Sequence, residues 1–148
     1  MRFTIMPILA ILLCTISVSA KDEQLSPSDT YMQYHNALQT ATAVDAVEPF
    51  MCKKVIKGID ETPAEMKPKM FGLIKELTPT TVKVESEKIE GDQATLKVID
   101  ASAQSTPKGI NEKTDGSVTL VREDGTWKID KESWNSHITS GAQDEPTQ

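Results

Sequence analysis

Side chains able to do chemistry are few and widely spaced in this sequence of 148 residues. The two histidines are His35 and His137, and Cys52 is the one cysteine outside the apolar N-terminal segment. A metal site needs several His, Cys or acidic ligands at workable spacing, and the sequence shows no such set. We therefore expect no metal and no cofactor.

A nucleophilic site would require Cys52 to meet His35 across two helices, with an acid to orient the base. Apolar residues flank Cys52 on both sides, so we expect it to be buried as a small hydrophobe. His35 is expected on the polar side of the first helix. The glycines are scattered, without the glycine-rich loop that would cradle a phosphate.

Asp100 is the remaining candidate for acid–base chemistry. Ala94, Leu96 and Val98 alternate with polar residues, as in a strand with one wet face. If the alternation continues two residues beyond Val98, the Asp100 side chain points inward. The competing interpretation, which we prefer, is that the strand ends there and leaves Asp100 in water.

The N-terminal segment predicts export. Arg2 precedes an apolar stretch that ends in Val18-Ser19-Ala20, a small-residue pattern typical of signal peptidase sites. We predict a cleaved signal peptide over residues 1–20 and a periplasmic or secreted location. Two alternatives are less favoured. A membrane anchor needs about 20 predominantly apolar residues, and lipidation of Cys14 would need small residues where two leucines stand.

The acidic composition restricts the partners. The chain has 16 basic and 22 acidic residues, for a net charge of −6, and such a surface repels phosphate backbones and anionic lipid heads. We expect no nucleic-acid partner and no membrane contact after signal cleavage. The expected partner is an unknown protein or a small apolar ligand, and a homodimer is a further hypothesis.

The sequence contains three helix-start patterns before the spacing of its apolar residues changes from helical to alternating. Ser26-Pro27 combines a capping serine with proline at the first helical position, and capping-box patterns begin at Asp45 and Thr62. Tyr31, Tyr34 and Leu38 follow the first start at helical spacing. These patterns predict three helices before Pro79.

Alternating apolar residues after Pro79 predict four antiparallel strands, with turns at Glu90-Gly91-Asp92 and Glu123-Asp124-Gly125 and a loop from Ser105 to Gly116. The fold class is therefore α+β. Residues 21–25 are predicted to be a mobile leader, 26–137 a single domain and 138–148 a disordered tail. The predicted core consists of Tyr34, Leu38, Phe50, Phe71, Leu96, Leu120, Trp127 and Ile129.

Residues 118–130 read VTLVREDGTWKID: a hydrophobic strand, an acidic turn with glycine, then Gly-x-Trp-Lys-Ile. This ending resembles the nuclear transport factor 2-like superfamily, and in particular its uncharacterised secreted bacterial branch. The resemblance implies a cone, with three N-terminal helices packed on a curved four-stranded antiparallel sheet. It also implies a pocket inside the cone, for which the lining candidates are Tyr31, Tyr34 and Trp127.

The superfamily includes isomerases, dehydratases, epoxide hydrolases and many binding modules, so the resemblance does not decide the activity. We expect an exported non-enzymatic binding or protein-interaction module. The first alternative is a small-molecule enzyme, with Asp100 as an acid whose pKa is raised in the cone pocket. The second is an immunity or inhibitor protein, whose acidic surface binds a basic toxin or hydrolase.

Overall fold

The computed structural model describes residues 24–102 and 110–140. Within these ranges three helices precede a four-stranded antiparallel sheet whose strand order follows the chain. This is the α+β class predicted from the sequence. The helices are α1 (Pro27–Thr40), α2 (Lys53–Asp60) and α3 (Lys67–Leu77), and the strands are β1 (Val82–Glu90), β2 (Gln93–Asp100), β3 (Ile110–Glu123) and β4 (Thr126–Ser140). The predicted signal peptide, residues 21–23 of the leader and residues 141–148 lie outside the described residues.

Helix α1 begins as predicted. The Ser26 hydroxyl accepts a hydrogen bond from the Asp29 backbone N–H at 3.0 Å, and Pro27 occupies the first turn. Its buried face includes Tyr31 and Leu38. His35 lies on this face as well, four residues after Tyr31, and only 3% of it is exposed. The prediction that His35 faces solvent is therefore wrong, because the i, i+4 spacing places it beside Tyr31.

The second and third helices begin later than predicted. Two short 3₁₀ helices, Val44–Ala46 and Glu48–Phe50, occupy the predicted start of the second helix, and α2 begins at Lys53. Pro49 explains the delay, because it has no N–H to continue a helix that starts at Asp45. The Thr62 hydroxyl donates to the Gly58 carbonyl at 2.9 Å at the end of α2. It therefore does not cap α3.

The strands carry the predicted alternation, and Ala94, Leu96, Val98, Val118 and Leu120 are buried on the face that the helices cover. Two boundaries differ from the prediction. Strand β3 begins at Ile110, inside the predicted loop, and β4 continues to Ser140, inside the predicted tail. The two segments pair with each other from Ile110 opposite Ser140 onward, so cross-strand hydrogen bonding extends both despite their polar composition.

The core lies between the helices and the sheet. Seven of the eight predicted core residues are buried, and Phe50 is half-buried against them. Cys52 is buried and free, as expected. No helix in the described part of the chain is long and apolar enough to span a membrane.

Strand β4 contains a β-bulge. Leu120 pairs with Ile129 whereas Thr119 pairs with Lys131, so Asp130 is an extra residue on β4. A bulge interrupts the period of two along its strand. After Asp130, the inward-facing positions of β4 are therefore even-numbered instead of odd-numbered.

Candidate functional site

A cleft of about 550 Å³ lies between the helices and the C-terminal half of β4. Its surface is more apolar than polar, and its volume is in the range of small-molecule sites. The residues that line it are Tyr34, Met51, Val55, Ile74, Leu77, Thr78, Thr114, Ile129, Asp130, Lys131, Glu132, Ser133, Trp134 and Ser136.

Glu132 is the best-positioned polar group of the cleft. Its Oε1 accepts a hydrogen bond from the Tyr31 hydroxyl at 2.8 Å and another from the Trp134 indole N–H at 2.9 Å. None of the hydrogen bonds among the described side chains involves its Oε2, and the Tyr34 hydroxyl lies near the same carboxylate. One oxygen therefore orients the carboxylate, while the other remains an acceptor for a ligand.

The two tyrosines beside this carboxylate are held in their neutral form. Burial, together with the nearby negative charge of Glu132, raises the pKa of the Tyr31 hydroxyl above its ordinary value of 10.0. Burial raises the pKa of Tyr34 as well, followed by the negative charge of Glu132 and the approach of the Tyr34 hydroxyl to its carboxylate. Both side chains therefore act as hydrogen-bond donors at neutral pH, and neither supplies a phenolate base.

The bulge that turns Glu132 inward is held by the first turn of α2 and the two residues before it. The Cys52 backbone N–H donates to the Ile129 carbonyl at 2.9 Å, and Met51 forms a parallel bridge with Ile129. The Lys54 ammonium pairs with Asp130 at 2.7 Å. The hydrogen bond from Lys54 lowers the pKa of Asp130 below its usual range. Asp130 is thus already paired with a cation at the bulge, and Glu132 is not.

Trp134 is placed by a close contact with the neighbouring strand. Its indole lies against Gly116, where an added Cβ would come within 2.8 Å of Trp134 Cε3 and 2.7 Å of the Ser133 carbonyl oxygen. Only glycine gives the indole room in this position. The tryptophan can then reach Glu132 with its N–H while its ring lines the cleft.

Cys52 lies near the bulge but lacks the surroundings of a reactive thiol. Its Sγ is 3.5 Å from Asp130 Oδ1, and burial raises the pKa of the thiol. His35 is occupied elsewhere, with Nε2 2.8 Å from the Pro79 carbonyl oxygen. The described residues contain no group of three or more His, Cys, Asp or Glu side chains that could hold a metal ion.

The residues proposed from the sequence occupy different places. Tyr34 lines the cleft, and Tyr31 contributes its hydroxyl through Glu132. Trp127 lies instead at a smaller cleft of about 310 Å³, where the Arg122 guanidinium sits 4.4 Å from its ring centre.

Asp100 lies at the end of β2 and is not among the residues that line either cleft. Its Oδ1 accepts hydrogen bonds from the Ser102 backbone N–H at 2.8 Å and from the Ser102 and Thr81 hydroxyls. These contacts are those of an aspartate that closes the end of a strand.

Sequence reasoning missed Glu132 and Trp134. Alternation from Trp127 and Ile129 assigns Lys131 to the inner face and Glu132 to solvent, since a bulge leaves no direct mark in the sequence. One signal was present. Trp134 comes seven positions after Trp127, an odd interval, so both can face inward only if the strand contains an extra residue.

No protein-family model matches the chain, and no curated protein matches it. Among solved structures, the chain is similar to an NTF2-like protein of unknown function from Shewanella baltica OS155. The TM-score is 0.38 and the sequences are 12% identical, over 72% of this chain and 96% of the other. A likeness at this distance says nothing about ligand or activity.

Proposed function

We propose that this protein is an exported binding module that takes a small ligand with an apolar body into the cleft beside β4. The observation that carries the proposal is the Glu132 carboxylate in the cleft wall. Tyr31 and Trp134 fix one of its oxygens and leave the other available. The apolar surface around it would remove the body of such a ligand from water.

The other groups near the cleft that could transfer a proton are already engaged. Asp130 is paired with Lys54, and the raised pKa values of Tyr31 and Tyr34 keep these groups protonated. Asp100, on which the enzyme hypothesis depended, closes a strand end. The inhibitor hypothesis would use surface charge instead of the cleft, so it predicts binding that weakens strongly with salt.

Isothermal titration calorimetry with octanol, a neutral probe with an apolar body, tests the proposal. Val55 lines the cleft, and Val55→Trp should occupy part of it. Val121, on the opposite face of β3 from buried Leu120, provides the matched control Val121→Trp. We expect octanol to bind the wild type and the control, and to bind Val55→Trp at least about tenfold more weakly.

Thermal unfolding of both variants verifies that they fold. Failure of octanol to bind the wild type would contradict the proposal. Equal affinities for Val55→Trp and the wild type would show that the cleft is not the binding site.

A further inference from the structure

We infer that the cleft selects organic cations, namely amines that carry an apolar tail, and that Glu132 is the residue that selects them. This inference rests on the proposed function and adds the charge of the ligand. It starts from a carboxylate that is half-buried, oriented and not paired with a cation.

The first step concerns the charge of Glu132. Within residues 24–102 and 110–140, no lysine, arginine or histidine lies within ion-pair distance of it. The hydrogen-bonding groups around it, those of Tyr31, Tyr34 and Trp134, are neutral. A carboxylate at an apolar wall is costly unless a cation pairs with it. A cationic ligand would supply that missing charge.

The second step concerns the shape of the site. An ammonium group has three donors and no acceptor, which suits the acceptor that Oε2 leaves available. Tyr34 and Trp134 also line the cleft, and aromatic faces attract cations that lie within about 6 Å of the ring centre. The carboxylate and the two rings therefore favour the same kind of headgroup.

The third step concerns the other charged residues of the cleft. Asp130 is paired with Lys54 at 2.7 Å. Lys131 is exposed, next to the bulge. An anionic headgroup at Oε2 would be repelled by Glu132, and a neutral hydroxyl could only donate one hydrogen bond. The expected order of affinity is cation, then neutral molecule, then anion.

Three probes of equal chain length separate charge from apolar burial: octylammonium, octanol and octanoate, each below the concentration at which it forms micelles. We expect the wild type to bind octylammonium at least about tenfold more tightly than octanol, and octanoate most weakly. Glu132→Gln should remove most of this preference and change octanol affinity less than about twofold. Asp100→Asn, which also removes one negative charge, is the matched control and should behave like the wild type.

The outcomes distinguish this inference from the proposed function. If octanol and octylammonium bind the wild type equally, or Glu132→Gln keeps the preference, the inference is overturned and the proposed function stands. If none of the probes binds, both fail. If Glu132→Gln does not fold, the relative affinities of the wild type for octylammonium and octanol still test the inference. Octylammonium binding should weaken as salt rises while octanol binding does not, and an equal response of both probes would overturn the inference.

Discussion

The bulge residue Asp130 divides β4 into two halves that have different roles in the molecule. Before Asp130, Trp127 and Ile129 are buried in the core, and Ile129 also forms part of the cleft wall. After it, Glu132 and Trp134 face the same side of the sheet but line a cleft. The comparison teaches that a bulge can divide one strand into a part that stabilises the fold and a part that forms a site.

Truncation of the two tryptophans should separate the halves most strongly. Trp127 is 4% exposed, so Trp127→Ala should lower the free energy of unfolding by about 3–5 kcal/mol. Trp134 is only partly buried, so Trp134→Ala should cost clearly less. Urea unfolding of both variants measures the difference. Equal losses would mean that both halves of β4 belong to the core.

The contact between Gly116 and Trp134 gives the next largest effect. Gly116→Ala places a Cβ 2.7 Å from a backbone oxygen and 2.8 Å from the indole, and such overpacking costs about 1–3 kcal/mol. Gly58→Ala, in α2, meets nothing within 4 Å and should be neutral or stabilising by up to about 1 kcal/mol. Chemical denaturation compares the two. A tolerated Gly116→Ala would show that the indole lies elsewhere.

Loss of the Tyr31 hydroxyl should have an intermediate effect that depends on pH. Tyr31→Phe removes a hydrogen bond to the Glu132 carboxylate and should cost about 1.5 kcal/mol at neutral pH. The pKa of Tyr31 is raised from 10.0 in the folded state, so above pH 10.0 the unfolded state releases its proton first and the wild type loses stability. The phenylalanine variant has no such group.

The stability gap between wild type and Tyr31→Phe should therefore be full below pH 10.0 and shrink above it. Unfolding curves at a series of alkaline pH values test this expectation. A gap that stays constant would show that Tyr31 has the same pKa in both states.

The smallest effect is expected at Asp100. Its contacts are with Thr81 and Ser102 at the strand end, outside the residues that line the clefts. Asp100→Asn should change the free energy of unfolding by no more than about 0.5 kcal/mol. A gain of about 1 kcal/mol or more in urea unfolding would instead indicate an acid buried at a cost, and would return Asp100 to the enzyme hypothesis.

Much of the fold could be predicted because each of its elements carries a local signal. Ser26-Pro27 predicted the start of α1, and the alternation of Leu96 and Val98 predicted β2 and its buried face. The starts of α2 and α3 were misplaced, since a capping pattern does not show whether its hydroxyl is used elsewhere, as that of Thr62 is.

The site was harder to predict because it depends on contacts between distant segments. The inward position of Glu132 requires the bulge at Asp130, which is held by Cys52 and Lys54 from another part of the chain. The resemblance implied Tyr31 as a pocket-lining candidate, whereas its contact with Glu132 spans 101 positions in the sequence. The periodicity of apolar residues within a single segment indicates neither the bulge nor the contact between Tyr31 and Glu132.

Quenching of the two tryptophans by a neutral brominated alkyl alcohol tests the central claim most directly, because bromine quenches an indole only on contact. In Trp127→Phe the emission comes from Trp134, and in Trp134→Phe it comes from Trp127, so each half of β4 has its own reporter. The account predicts saturable quenching of Trp134 and little quenching of Trp127. Equal quenching of both, or preferential quenching of Trp127, would contradict the assignment of the ligand site to the half of β4 beyond the bulge.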